Sequence, residues 1–196
     1  MSVNTSGTTS RILDVAERML QVRGYNGFSY GDVAAELDIT RAALHYHFKG
    51  KAELGQALIE RYASRFAAAL ADLDTTAPDA AAKLRGYAGL YTDVLSADRM
   101  CLCGMLAAEH RTLPDPLQQA VCAFFRSNTA WLTAVLEQGR ADGSLAFDGT
   151  AEDTAAVVLG ALEGAMLITR LDGDVPRFTA TTERLLASLT SSAVPA

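Results

Sequence analysis

Cysteine, histidine and long apolar runs are scarce in these 196 residues, and each scarcity narrows the reading. Three cysteines, Cys101, Cys103 and Cys122, make an odd number, whereas a disulfide framework pairs even numbers in a secreted chain. Thiols in a reducing compartment are the simpler expectation, and a cytoplasmic location goes with it. Three histidines, two of them His45 and His47, leave little for acid–base catalysis. Gly-x-Ser-x-Gly, a glycine-rich phosphate loop and His-Glu-x-x-His are all missing. An enzyme is therefore not expected, nor is a cofactor. A structural metal would need more ligands than Cys122 and His110 could supply, so none is expected. No apolar run reaches the ~18–20 residues that a bilayer span requires. Met1 to Ser10 lacks the basic start and apolar stretch of a secretory signal. A membrane is not an expected partner.

Basic charge is also short, with 17 Lys or Arg against 23 Asp or Glu and a net charge of −6. The balance is uneven along the chain. Residues 1–51 carry six basic and five acidic side chains, and the remainder carries eleven and eighteen. An acidic body repels nucleic acid, so any DNA contact belongs to the N-terminal quarter. Apolar residues are abundant at 49%, which excludes disorder throughout and allows one large domain or two small ones.

These apolar residues recur with the helical period almost everywhere, which predicts an all-α protein of about nine helices. Ile12, Val15, Ala16, Met19 and Leu20 line one face of a first helix, and Gly24 and Gly27 bracket the turn after it. Ser29 stands where an N-cap should, ahead of a short helix bearing Val33, Ala34 and Leu37. Thr40 can cap a third, Arg41 to Tyr46. A long helix from about Lys51 to Leu73 follows, and then one carrying Leu84, Tyr87, Tyr91 and Leu95. A short segment from Met100 to Arg111 ends at Pro114 and Pro116. The longest helix carries Leu117, Val121, Phe124, Phe125, Leu132 and Leu136 and closes at Asp142-Gly143. Ala155 to Ile168 is apolar on nearly every face, and a last amphipathic helix runs from about Pro176 to Leu189. Residues 1–9 and 192–196 are expected to be disordered tails.

Two short helices joined by the turn Leu37-Asp38-Ile39-Thr40 form a helix-turn-helix pattern. In the second, Leu44 and Phe48 face inward, leaving Arg41, Ala42, Ala43, His45, Tyr46 and His47 to face outward. Arginine suits a guanine edge, and alanine allows close approach or a thymine-methyl contact. Tyr and His reach phosphate oxygens, and Lys51 adds its charge to the N-terminal dipole of the next helix.

The run Phe28-Ser29-Tyr30-Gly31-Asp32-Val33-Ala34, continued by Leu44-His45-Tyr46-His47-Phe48-Lys49-Gly50-Lys51-Ala52-Glu53-Leu54, resembles the DNA-binding domain of the TetR/AcrR family of bacterial regulators. The resemblance covers about residues 10–56; beyond it, only the number, length and order of helices are similar. It implies a homodimeric one-component repressor that binds a double-stranded, near-palindromic DNA operator and is released by a small-molecule effector. Residues 10–50 would be the helix-turn-helix domain and 51–191 the effector-binding and dimerisation domain. Ser29, Tyr30, Thr40, Tyr46, His47 and Lys51 match backbone-contacting positions of the family, and Arg41, Ala42, Ala43 and His45 match positions that touch bases. The sequence departs from the family at Asp38, where Gly is usual, at Ala42, where Gly or Pro is frequent, and at His45, where Tyr is usual. Aspartate tolerates a left-handed backbone at some cost.

In the remaining helices Phe66, Tyr87, Tyr91, Met105, Phe124, Phe125, Trp131 and Met166 are candidates to line an apolar or aromatic effector pocket, or equally an ordinary core. Glu109 and His110 are possible polar anchors or solvent-facing residues. Ala156, Gly160 and Gly164 are spaced by four, and small residues there let helix axes approach; together with Leu185 of the last helix they are candidates for a dimer interface, the other reading being tight packing within one subunit. Cys101 and Cys103 open a helix, where a thiol is more acidic. Part of the resembled family begins this segment in a similar way and responds to electrophiles, which implies an alternative repressor that senses electrophiles or redox state through Cys101 or Cys103. A buried apolar role for these thiols competes with it. A DNA-binding protein without any ligand is the third reading.

Overall fold

The computed structural model describes residues 5–190, and among them nine α-helices follow one another with no strand beyond an isolated bridge between Leu145 and Thr190. They are α1 (Thr5–Arg23), α2 (Tyr30–Glu36), α3 (Arg41–His47), α4 (Lys51–Thr76), α5 (Ala80–Ser96), α6 (Leu102–Ala108), α7 (Asp115–Ala141), α8 (Ala151–Asp172) and α9 (Val175–Ala187), with a 3-10 turn at His110–Thr112. The all-α expectation holds. The expected N-terminal tail does not, because α1 already runs from Thr5 and residues 5–9 are helical. A tertiary partner explains the extension: Thr9 Oγ1 and His47 Nδ1 lie 2.9 Å apart. The expected tails at residues 1–4 and 192–196 lie outside the described residues.

The chain divides into two compact units. The first holds residues up to Arg65 together with Cys101–Phe124, and the second holds Phe66–Met100 with the residues from Phe125 onward. This differs from a boundary at Lys51, because the first fifteen residues of α4 group with the helix-turn-helix head, α1 to α3. In the first unit α1 packs on α2 and α6, and α2 on α3. Ile12, Ala16, Leu20, Leu44, Leu54 and Leu58 are fully buried there. Glu17, 5% exposed, joins α1 to α4 by accepting from Arg61 Nη2 at 2.6 Å and from Arg65, while Arg61 also reaches Asp14 at 2.7 Å. Gly55 admits α7: a Cβ on it would lie 2.7 Å from Leu117 Cδ2.

In the second unit α5, α8 and α9 pack on one another. The buried face of α8 is Thr154, Ala155, Val158, Leu159, Leu162, Met166 and Thr169. Its opposite face is open, with Val157, Leu167, Ile168 and Leu171 exposed. The expectation about membrane-length apolar runs needs correction here. The 22 residues of α8 are long and apolar enough, by length and composition, to cross a bilayer, because the few polar residues that interrupt the run leave its average apolar. Its buried face belongs to the packed core of this unit.

The helix-turn-helix turn is a Schellman stop built on aspartate. Ile39 N–H donates to Ala34 O at 3.0 Å and Asp38 N–H to Ala35 O at 3.2 Å, with Asp38 at φ +53°. The end of α5 repeats it around Asp98, φ +55°, with Arg99 N–H on Val94 O. A left-handed non-glycine residue costs ~1 kcal/mol. Asp38→Gly is expected to stabilise the chain by up to ~1 kcal/mol, read as a higher midpoint in urea; an unchanged or lower midpoint would show that the aspartate carboxylate compensates the strain.

Candidate functional site

The head presents its third helix outward. Ser29 Oγ accepts from Asp32 N–H while the Asp32 carboxylate accepts from Ser29 N–H at 2.6 Å, a reciprocal box that starts α2. Hydrogen bonds to the carboxylate from the Ser29 side chain and from the Ser29 backbone N–H hold the Asp32 carboxyl below its usual range. Thr40 Oγ1 accepts from Ala43 N–H at 3.1 Å and starts α3. Ser29 and Thr40, expected at the DNA backbone, thus also cap the two helices. The Tyr30 hydroxyl donates to Phe48 O at 2.8 Å, tying the start of α2 to the end of α3. Burial pushes the Tyr30 pKa up to about 12, with Glu53 and Tyr25 adding to the effect.

Leu44 and Phe48 are buried, as the helical period predicts, and Arg41, Ala42, Ala43, His45 and Tyr46 are exposed. Tyr46 is the most open of the large apolar side chains on this helix at 80%. The His45 ring lies 4.9 Å from the Tyr30 ring. His47 is half-buried, with its ring edge-on to Tyr46 and its Nδ1 at Thr9. The guanidinium of Arg41 lies over Gly31, where a Cβ would stand 2.6 Å from Nη2; glycine there leaves the arginine room.

Lys51 departs from expectation. Its ammonium donates to Phe28 O and sits 4.5 Å above the rings of both Tyr25 and Phe28. Burial pushes its pKa down, opposed by the nearby Glu109 and Asp32 carboxylates. In this conformation it clamps the α1–α2 turn rather than extending toward solvent. Glu109 departs too. Its carboxylate accepts from the backbone N–H of Tyr25 and of Asn26, at 2.5 and 3.1 Å, rather than serving an effector cavity.

In the second unit the structure gathers four of the eight candidate pocket residues. Tyr87 stacks on Trp131 with centroids 5.6 Å apart, and Phe66 meets Tyr87 and Tyr91 edge-on at 5.9 and 6.2 Å. The hydroxyls of Tyr87 and Tyr91 are 3.1 Å apart, and Tyr87 donates to Asn128 Oδ1 at 3.1 Å. Asn128 is 2% exposed and carries the polar end of this cluster; the sequence offered no periodic signal for it. Trp131 Nε1–H donates to Asp74 at 3.0 Å, and Lys83 pairs with the same carboxylate at 3.0 Å. Phe125 is half-buried and Met166 fully buried in this unit. Met105 and Phe124 belong to the first unit, where Phe124 lies 5.7 Å from Tyr62.

The proposed interface residues lie on the open side of α8. Ala156, Gly160 and Gly164 are exposed and Leu185 is half-buried. A Cβ on Gly160 or Gly164 would meet nothing within 4 Å, so packing within the subunit does not require these glycines. Beside them runs a groove of about 620 Å³ lined by residues that include Ala161, Ala165, Thr181, Leu185 and Ser188.

The thiols fall into two kinds. Cys101 and Cys103 are buried, and Cys122 is exposed. Cys101 caps α6: its Sγ accepts from Gly104 N–H at 3.3 Å and from the Tyr62 hydroxyl at 3.7 Å. Cys122 Sγ lies 3.8 Å from His110 Nε2 on the surface.

Comparison with known proteins adds to this geometry. The family model for bacterial regulatory proteins of the tetR family matches residues 12–58, and the model for a tetracyclin repressor-like C-terminal domain matches residues 80–185. A TetR-family transcriptional regulator from Agrobacterium tumefaciens superposes with a TM-score of 0.92 at 35% identity, over 96% of this chain and 100% of that one. The transcriptional regulator AcuR of Cereibacter sphaeroides is 27% identical over 159 residues, 78% of this chain and 72% of its own. The transcriptional repressor NemR of Escherichia coli is 24% identical over 174 residues, 82% of each chain.

Burial ranks the thiols in a way that chemistry can read. Under native conditions a thiol reagent is expected to label Cys122 rapidly, and Cys101 and Cys103 only as fast as the first unit opens. Cys122→Ser should remove the fast phase. A fast phase persisting in that variant would mean that the α6 start opens readily.

Proposed function

The chain belongs to the TetR family of bacterial regulatory proteins, and from that premise we propose that it acts in the bacterial cytoplasm as a homodimeric repressor, binding a near-palindromic operator and released by a small apolar or aromatic effector. The observation that carries the reading is the outward face of α3: Arg41, Ala42, Ala43, His45 and Tyr46 are solvent-facing on a helix held by Leu44 and Phe48, in a protein whose remainder is acidic. Arg41 reads a base edge, with Ala42, Ala43 and His45 beside it. Ser29, Tyr30, Thr40, Tyr46 and His47 lie against phosphates. Lys51 serves through its clamp on Phe28, which fixes the residue before the Ser29 cap. Two such helices related by a two-fold axis require symmetric half-sites.

The dimer forms, in this proposal, on the open apolar side of α8 with Leu185 of α9. Val157, Ile168 and Leu171 are 61%, 57% and 83% exposed there, and the flush surface at Gly160 and Gly164 lets a partner helix approach. The effector sits against the Phe66, Tyr87, Tyr91 and Trp131 cluster, where Asn128 and the two hydroxyls supply a neutral polar anchor in apolar surroundings. Phe125 and Met166 of the same unit complete the candidate lining.

A thiol trigger is the second reading. Two donors, the Tyr62 hydroxyl and Gly104 N–H, aim at Cys101 Sγ, and donors stabilise a thiolate. Its burial means that an electrophile reaches Cys101 or Cys103 only through an opening of the first unit.

Selection of bound duplexes from a random library tests the DNA reading, and symmetric half-sites are expected. Arg41→Ala should cost ~1–3 kcal/mol on the selected duplex and relax preference at one position per half-site. An unchanged preference removes Arg41 from the base-reading set. Release of that duplex by apolar and aromatic compounds should survive Cys101→Ser with Cys103→Ser; loss in that double variant favours the thiol trigger, and no release by any compound favours a DNA-binding protein without ligand. Gly160→Leu should weaken self-association, since overpacking costs ~1–3 kcal/mol. An unaltered dimer in sedimentation would place the interface elsewhere.

A further inference from the structure

We infer that Gly31 is a positioning residue for base recognition: having no side chain, it leaves the space in which the Arg41 guanidinium is seated between α2 and α3, and that seat aims the arginine at its base. The inference rests on the regulator reading above and adds to it a residue that sets sequence preference without touching a base.

Its physical basis is a glycine whose presence neither the backbone nor the core explains. Gly31 is the second residue of α2. Glycine is one of the poorest helix formers, so a seven-residue helix loses stability by carrying it. The left-handed glycines among the described residues are Gly24, Gly143, Gly149 and Gly173, so Gly31 lies outside the backbone region that favours one. A Cβ on Gly55 or Gly139 would meet the buried leucines Leu117 and Leu145, and those glycines serve core packing. A Cβ on Gly31 would meet Arg41 instead: Nη2 at 2.6 Å, Cζ at 3.3 Å and Nε at 3.3 Å are the three nearest atoms. The guanidinium therefore occupies the place that a side chain at position 31 would take.

Contact alone holds the guanidinium in that seat. The Arg41 side chain enters no hydrogen bond or ion pair among the described residues, so its N–H donors are unspent. Arg41 opens α3, where the Thr40 cap and the buried Leu44 fix its backbone. A bidentate contact to a guanine edge needs the planar fork at a narrow range of distance and angle. An unseated arginine would give up the freedom of its long stem on binding and could turn to neighbouring bases or phosphates. Seating it beforehand lowers that cost and narrows the choice. An ordinary contact to carbon is ~3.5–4.0 Å, so a methyl group at position 31 would move Nη2 by about 1 Å from its present 2.6 Å. A directional hydrogen bond to a base edge does not survive such a shift.

The test uses the full-length protein and the duplex that the wild type selects. Gly31→Ala exchanges a hydrogen for a methyl group, and alanine is the better helix former, so its urea midpoint is expected to equal or exceed that of the wild type. Its affinity for the selected duplex should fall by ~5-fold or more, the lower end of what one base contact is worth. A new selection with this variant should show altered preference at the same position of each half-site that Arg41→Ala relaxes. In the Arg41→Ala background the glycine exchange should change affinity by less than ~2-fold, because the residue that Gly31 aims is gone. An equal loss in both backgrounds overturns the inference, since the methyl group would then meet the DNA directly. An unchanged preference in Gly31→Ala overturns it too, as does a change at a position that Arg41→Ala leaves alone. A lowered urea midpoint overturns it on another ground, by showing that the fold itself needs the glycine. Selection of no duplex by the wild type would instead overturn the regulator reading.

Discussion

Helices α2 and α3 have seven residues each, and helices of that length are not stable alone in water. Everything the head does depends on pinning their ends. The pins are bonds between side chains and backbone: Ser29 and Thr40 at the starts, the Tyr30 hydroxyl on Phe48 O, and the Lys51 ammonium on Phe28 O. Leu44 and Phe48 supply the burial that makes the arrangement worth pinning. The outward side of α3 is left without structural duties, apart from the contacts of Arg41, His45 and His47 with their neighbours, and side chains without structural duties are the ones available to a ligand.

Local signals in the sequence were legible where both partners of a bond lie within one or two turns. The capping of α2 and α3, the inward Leu44 and Phe48, and the left-handed Asp38 all belong to that class. Readings failed where the partner is remote and is backbone. Nothing in the sequence near Glu109 marks the amides of Tyr25 and Asn26 as donors to its carboxylate, and a carbonyl such as Phe28 O has no signature that would draw Lys51 inward. The start of α1 was hidden for a related reason. Its Thr- and Ser-rich first turns have weak helix propensity, and a contact with His47, 38 residues on, supports them. The aromatic residues of the core were recognisable as a set, but composition does not sort them, and the fold assigns Met105 and Phe124 to one unit and Phe66, Tyr87, Tyr91 and Trp131 to the other.

Charge and apolarity are divided among different surfaces. The chain as a whole is acidic, which suits a protein that must meet DNA at one face only. The open side of α8 carries the opposite character, a row of apolar side chains interrupted by glycines rather than by charges. Contiguous exposed apolar surface of this kind marks a place of association.

The bond between Thr9 and His47 has a practical side. It brings the early turns of α1 against the half-buried histidine of α3, and Thr5 is only ~6 Å further along the same helix axis. The N-terminal turns of α1 therefore lie beside α3. An affinity tag placed there would share space with a bound duplex, and a basic one would add phosphate contacts that belong to the tag. Fusion partners for binding measurements are better attached after α9.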